Sequence, residues 1–312
     1  MTSDVDLHTV RIVRAIADTG SISGAARTLG YSQPAVSQHL QRAEARIGIP
    51  LVTRHGRGIR LTEAGSVLAR HAITITSALD AASGELADLA GLRTGSVRLA
   101  AFPTASSTIV PRFLAAMATA HPGIRVSYVE AQPPEAVEAL RDGSADIAIT
   151  FSYPGDRADP HRASVHGLDL APLFVEDMVV VVPAGHPHAN DVTIDVSGLE
   201  TEAWIAGCPR CRGHLLAVCD DDGFVPDISY ETDNASAVLH MVASGLGVAL
   251  LPRLALASAS VPPGVAIRPH RASSERSIHA LTTAGATRVP SIAVALAVLA
   301  EIDGTGWGLV AG

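Results

Sequence analysis

The sequence predicts an α/β chain with a small helical head, a long connecting helix and a larger body. Three observations predict it. Short helical patterns, punctuated by Gly20 and Gly30, precede an arginine-rich hairpin pattern in the first sixty residues. An apolar seam at heptad spacing runs from Leu68 to Leu89. From Val97 onward, strand-like runs alternate with helical ones, as in α/β domains with largely parallel sheets.

The first helix is marked by Leu7, Val10, Val13 and Ala17, with Ile16 alongside, and Gly20 ends it. Ser21 is a natural N-cap for a second helix over Ile22–Leu29, and Gly30 supplies the left-handed stop. Ser32 caps a third helix, whose first turn tolerates Pro34 because no N–H is needed there. Ala26, Gly30 and Val36 meet the needs of a helix-turn-helix: a small residue where the helices approach, a glycine in the turn, and an apolar residue re-entering the core. Helix three then buries Val36, Leu40, Ala43 and Ile47 and presents Gln33, Ser37, Gln38, Gln41 and Arg42. Gln and Ser hydrogen-bond base edges in a major groove, and Arg takes bases or phosphate. A small bundle with a merely solvated polar face is the alternative.

Leu51–Thr62 reads as a hairpin with a glycine-rich turn and three arginines, Arg54, Arg57 and Arg60. That charge suits a wing against phosphate or the minor groove. Charge distribution agrees. The chain carries −8 overall and no lysine, yet residues 1–70 hold nine Arg against five acids, and residues 71–312 hold fourteen Arg against 26 acids. A basic head on an acidic body fits a nucleic-acid module joined to something else.

The runs Gly20–Leu29, Ser32–Gln38, Leu51–Arg54 and Leu61–Gly65, with Glu44 and Gly48, resemble the N-terminal signature of LysR-type transcription regulators. Ala43 and Val52 depart from it, standing where the family usually has Leu and Phe. The resemblance implies a winged helix-turn-helix over residues 1–64 that contacts double-stranded DNA through Gln33, Pro34, Ser37, Gln38 and Arg54. Arg42 and Arg57 join them by position. Ala25, Ala26 and Leu29 are expected in the core.

Leu68, Ala72, Ile75, Leu79, Ala82, Leu86 and Leu89 alternate at spacings of four and three, so residues 65–94 read as a linker helix and hinge. Such a stripe pairs with the same helix of a second chain or packs on its own body. The resemblance favours a homodimer, with tetramers and RNA polymerase as further partners. Gly91 and Gly95 are read as the hinge.

In the body, Val97–Ala101, Ile124–Glu130 and Asp146–Phe151 are expected strands; Ile109–Thr119 and Pro134–Arg141 are expected helices. Leu168–Phe174 and Met178–Val182 are read as strands of a second lobe, Ser236–Ser244 as a helix, Gly245–Pro252 as a turn into a strand, and Val289–Ile302 as a terminal helix. Their order resembles the LysR effector domain. That implies a two-lobed fold of the type 2 periplasmic-binding-protein kind over residues 95–312: lobe I at 95–165 and 267–312, lobe II at 166–266. Ligands in such folds bind at loops after strand ends and at helix N-termini. Thr104, Ser106, Phe151 and Asn234 are therefore the expected contacts of a small-molecule effector, although Thr104 and Ser106 could serve only as caps.

Three cysteines are too few for a disulfide scaffold. Cys208-Pro209-Arg210-Cys211 admits three readings: ordinary thiols of a surface loop, a redox switch with thiolates favoured by nearby Arg210 and Arg212, or a zinc site completed by Cys219 and His214. His186-Pro187-His188 is read as a turn and Asp220–Asp222 as a solvated loop; no metal or cofactor is expected. The acidic start, with Asp4 and Asp6, does not resemble a secretory signal and no apolar run spans a bilayer, so a cytoplasmic protein is expected. No nucleophile elbow, P-loop or dinucleotide fingerprint appears, so a binding protein is expected rather than an enzyme.

Overall fold

The computed structural model describes residues 5–55, 58–89, 95–153, 165–272 and 274–312. The chain divides into two compact units, residues 1–90 with 141–143, and residues 91–140 with 144–312.

In the first unit, α1 (Leu7–Thr19), α2 (Ile22–Leu29) and α3 (Gln33–Ile47) are capped at both ends. Asp6, Ser21 and Ser32 accept from the N–H groups of Thr9, Gly24 and Ala35. Gly20, Gly30 and Gly48 close the helices in the left-handed conformation, Gly30 at φ 72°. Ile12, Val13, Ile16, Ala25, Val36 and Leu40 form the core. Of the expected stripe of α1, Val10, Val13 and Ile16 are buried, Ala17 in the last turn is exposed, and Thr9, Ile12 and Ala15 widen the buried face.

The wing follows as β1 (Val52–His55) antiparallel to β2 (Gly58–Leu61), with Arg54 opposite Ile59. Thr62 then accepts from Gly65 N–H to start α4 (Glu63–Leu89). Gly65 is required there by space, since a Cβ on it would lie 2.1 Å from the Leu51 carbonyl oxygen. Early in α4, Ala69 and Ala72 are buried; further along, Ile75, Leu79 and Leu86 are exposed at 39, 37 and 67%. Of the two expected hinge glycines, Gly91 lies outside the described residues and Gly95 is the first residue of a strand, Gly95–Ala101.

The second unit begins with β3 (Gly95–Ala101), the one-turn α5 (Pro103–Ser106), α6 (Ile109–Ala120), β4 (Ile124–Glu130), α7 (Pro133–Arg141) and β5 (Ile147–Ser152). Crossover helices make β3 parallel to both β4 and β5. Asp146, just before β5, accepts from the backbone and guanidinium of Arg98 on β3.

The long strand β6 (Leu168–Pro183) crosses into a second half. That half holds β7 (Ala203–Ala206), α8 (Pro209–Asp221), β8 (Asp227–Glu231), α9 (Ala235–Ala243), β9 (Ala249–Pro252), α10 (Arg253–Ala257) and β10 (Val265–Pro269). The chain returns through β11 (Glu275–Thr283), α11 (Pro290–Ala300) and β12 (Val310–Ala311). The sheet order is β10-β6-β11-β5-β3-β4, with β9 and β12 also paired to β6.

Three expectations are corrected. The two runs read as separate second-lobe strands are one strand, and its part from Leu168 to Asp177 pairs with β11 beside β5. The polar interruption that suggests a break, Glu176-Asp177, is carried through because Glu176 is buried against Arg276. The sheet is mixed rather than largely parallel: β6 runs antiparallel to β9, β10, β11 and β12. Parallel pairing is confined to strands joined through helices, β3 with β4 and β5, and β7 with β8. Finally, Asp220 and Asp221 end α8 and Asp222 is its C-cap, so this run is not a loop. His186 caps a short 3-10 turn at Pro187–Asn190, with Nδ1 accepting from His188 N–H.

Candidate functional site

On α3, Gln33, Pro34, Gln38 and Arg42 are exposed and Ser37 is half-buried, while Val36, Leu40 and Ala43 face the core. The N-cap and Pro34 together free the first turn to project outward. Two carboxylates fix this helix. Glu44 Oε1 accepts from Leu51 N–H at 2.8 Å and Val52 N–H at 3.1 Å, joining α3 to the wing. Asp6 accepts from Arg46 near the end of α3 and from Thr9, whose hydroxyl lies 3.0 Å from His39 Nε2. Burial opposes ionisation of Asp6, but the Arg46 and Thr9 hydrogen bonds hold its carboxyl well below the ordinary range. Arg54 sits within β1; Arg57 lies outside the described residues.

The second unit holds a cavity of about 50 Å³. Phe102, Pro103, Thr104, Phe151 and Arg276 line one side. Cys208, Cys211, Thr232, Asp233 and Leu251 line the other. Gln132 Nε2 donates to Asp233 at 3.1 Å, linking the end of β4 to the loop before α9. The floor is built on a buried ion pair. Arg276 lies 4.5 Å over the Phe151 ring and 5.1 Å over Phe102, which meet edge to face. It pairs with Glu176 at 2.6 Å and reaches the Thr104 hydroxyl at 3.4 Å. Glu176 Oε2 also accepts from Leu254 N–H at the start of α10. Both charges are thus hydrogen-bonded, which a buried pair requires.

Of the expected effector contacts, Thr104 and Phe151 are on this wall. Ser106 and Asn234 lie off it. Ser106 donates to the Phe102 carbonyl and accepts from Tyr128. Asn234 caps α9 by accepting from Ala237 N–H. Arg276 escaped the sequence reading although its place was legible: it alternates with Ile278 and Ala280 on the buried face of β11.

The cysteines are not in a surface loop. Cys208 is the N-cap of α8, and its sulfur accepts from Cys211 N–H. The two sulfurs are 2.8 Å apart, and the Tyr153 hydroxyl donates to Cys211 at 3.7 Å. The hydrogen bond from Cys208 lowers the Cys211 thiol to about 6; burial opposes this, and Arg276 and Tyr153 assist. The same hydrogen bond and burial push Cys208 far up. His214 stacks on Tyr153 and shares a 2.6 Å hydrogen bond with Ser274. Among the described residues no group of three or more His, Cys, Asp or Glu is placed to hold a metal ion, so the zinc reading gains no support. No helix of the described residues is long and apolar enough to cross a membrane.

A capped helix-turn-helix with a wing, followed by a two-part α/β unit with a cavity, defines a DNA-binding regulator with a ligand domain. The chain belongs to the LysR family of bacterial transcription regulators. Residues 7–66 match the model of the bacterial regulatory helix-turn-helix protein, lysR family, and residues 90–303 match the LysR substrate binding domain. A probable HTH-type transcriptional regulator of Synechococcus elongatus, LrrA, is 30% identical over 95% of this chain and 97% of its own. A probable hydrogen peroxide-inducible genes activator of Mycobacterium avium is 30% identical over 79% of this chain and 78% of its own. Full-length OxyR from Pseudomonas aeruginosa, a cysteine-to-aspartate variant, shares the fold with a TM-score of 0.72, at 23% identity over 96% of each chain.

Proposed function

We propose that this LysR-type regulator reads double-stranded DNA through Gln33, Pro34, Ser37, Gln38 and Arg42 of α3, with Arg54 and Arg57 of the wing. A small molecule in the cavity beside Thr104 and Phe151 then sets its regulatory state. The observation that carries the DNA reading is the outward polar face of α3, braced on both sides by Glu44 and Asp6. Ser106 and Asn234 act indirectly: Ser106 holds the α5 turn after Phe102, and Asn234 caps the helix whose Ala235 lines the cavity. The working division is residues 1–64 for DNA, 65–94 for pairing and 95–312 for the effector. The exposed Ile75 and Leu86 support a homodimer through α4, on which tetramers can build. Its action is binding rather than catalysis, in the cytoplasm where DNA and RNA polymerase are.

Fluorescence anisotropy of the full chain on DNA upstream of its own gene, against unrelated DNA, tests the reading. Selective binding, weakened at least tenfold by Arg42→Ala and falling steeply with salt, is expected. Equal affinity for both DNAs, with or without cell extract, would remove the regulator reading.

A further inference from the structure

We propose that a second cavity of the second unit, between one face of α8 and the chain linking β10 to β11, is a binding site for a small aliphatic amine. It shares no lining residue with the cavity beside Thr104 and Phe151, and it goes beyond the function proposed above.

The cavity has a volume of about 400 Å³, within the roughly 300–1,000 Å³ of small-molecule sites. His214, Val218, Asp221 and Asp222 line it from α8, since their spacing puts them on one helical face. His270 and Ser274 line it from the link, and Glu275 from the start of β11. The buried part of the wall points to a ligand. His270 is 6% exposed, and among the described residues neither of its ring nitrogens has a hydrogen-bond partner. Burial pushes this ring below its ordinary value, against the pull of Asp222 and Asp195, so it is neutral, with one nitrogen to donate and one to accept. Buried polar atoms left in this state cost free energy until partners reach them. The neighbouring His214 ring is fixed, for Tyr153 stacks on it at 3.9 Å and it shares a 2.6 Å hydrogen bond with Ser274.

The charge of the lining selects the ligand. Asp221, Asp222 and Glu275 are exposed carboxylates, and among the described residues no arginine lines the cavity. Asp221 ends α8 and Asp222 caps it, and the last turn of this helix has no basic residue. Carboxylates there add to the negative end of the helix dipole, where a cation is favoured. A metal ion does not fit, because among the described residues no three ligating groups converge. An ammonium group needs only acceptors for its N–H groups, which the free His270 nitrogen and the carboxylates provide. Val218 adds apolar surface for a short carbon chain.

The test titrates putrescine into the full-length protein by isothermal calorimetry, beside the neutral diol and the dicarboxylate, succinate, of the same chain length. Putrescine should saturate a single site per chain, and the diol and succinate should give no binding. Asp222→Asn and His270→Leu should each weaken putrescine at least tenfold. Asp222 is exposed, so Asp222→Asn carries the test if His270→Leu fails to fold. Glu301→Gln, at the exposed end of α11, removes the same charge elsewhere and should leave binding unchanged. The last comparison matters because a chain of net charge −8 attracts cations everywhere. Four results would each overturn the proposal: no saturable putrescine binding, equal binding of the diol or succinate, full affinity in Asp222→Asn, or an equal loss in Glu301→Gln. None of these readouts involves DNA, so the outcome is independent of the regulator reading.

Discussion

Arg276 and His214 show how buried polar residues are held around the cavity. Arg276 has only 2% of its side chain exposed, yet Glu176, Thr104 and two aromatic faces receive its charge. His214 has no such carboxylate. Burial first, and then His270 and Arg276, depress it from 6.5 to about 4, so it folds neutral. The unfolded chain therefore takes up this proton before the folded one does. Stability from the neutral ring is complete above the unfolded value and is lost as pH falls from about 6.5 towards about 4. The loss amounts to about 2–4 kcal/mol at a pH below both values. His270 and His279 are depressed by burial in the same sense, so a substitution removes only part of the effect. Urea unfolding at about pH 7 and about pH 5 should show a smaller drop for His214→Asn than for wild type. Equal drops would assign the titration to other groups. At this scale the sequence was partly readable. Thr104 and Phe151 follow from their places at strand ends, but the partnership of Glu176 with Arg276 spans a hundred residues and leaves no local pattern.

At the scale of elements, the helices of the head were the most legible because their signals are local: a Ser cap, a glycine stop, and a stripe at helical spacing. The body was less so. No element was assigned between Val182 and Ser236, where β7 and β8 are short and α8 begins at a cysteine cap. The wing shows what local pattern misses even in the head, for its attachment depends on Glu44. Removing that carboxylate leaves Leu51 N–H and Val52 N–H without their acceptor at a partly buried junction. Glu44→Ala should cost about 1–3 kcal/mol of stability in the head. DNA affinity should fall while the helical circular-dichroism signal stays, since the α3 caps are untouched. Glu44→Gln keeps a carbonyl acceptor and should recover part of both. A melting curve unchanged in Glu44→Ala would show that the β1–β2 pairing and Gly65 contact hold the wing unaided.

Across the whole chain, the remaining asymmetry lies along α4, where the apolar seam changes character. Its first part is buried within the chain through Ala69 and Ala72, whereas Ile75 and Leu86 face outward at 39 and 67% exposure. A helix of 27 residues does not keep such side chains in water at no cost, because each buried aliphatic side chain is worth about 1.5–3 kcal/mol. A second copy of the same helix offers the complementary stripe, and two-fold pairing presents two α3 helices to one DNA site. Leu86→Asp places a charge in that seam while leaving untouched the core of the head, built from α1 to α3 with Leu51 and Ala69. Light scattering behind a sizing column should then report a dimer for wild type and a monomer for the variant. Affinity for a two-half-site DNA should fall at least tenfold, because each head would bind alone. The circular-dichroism melt of the head should move little. If Leu86→Asp remains a dimer with full affinity, the chains associate through the second unit, and the exposed stripe of α4 has another role.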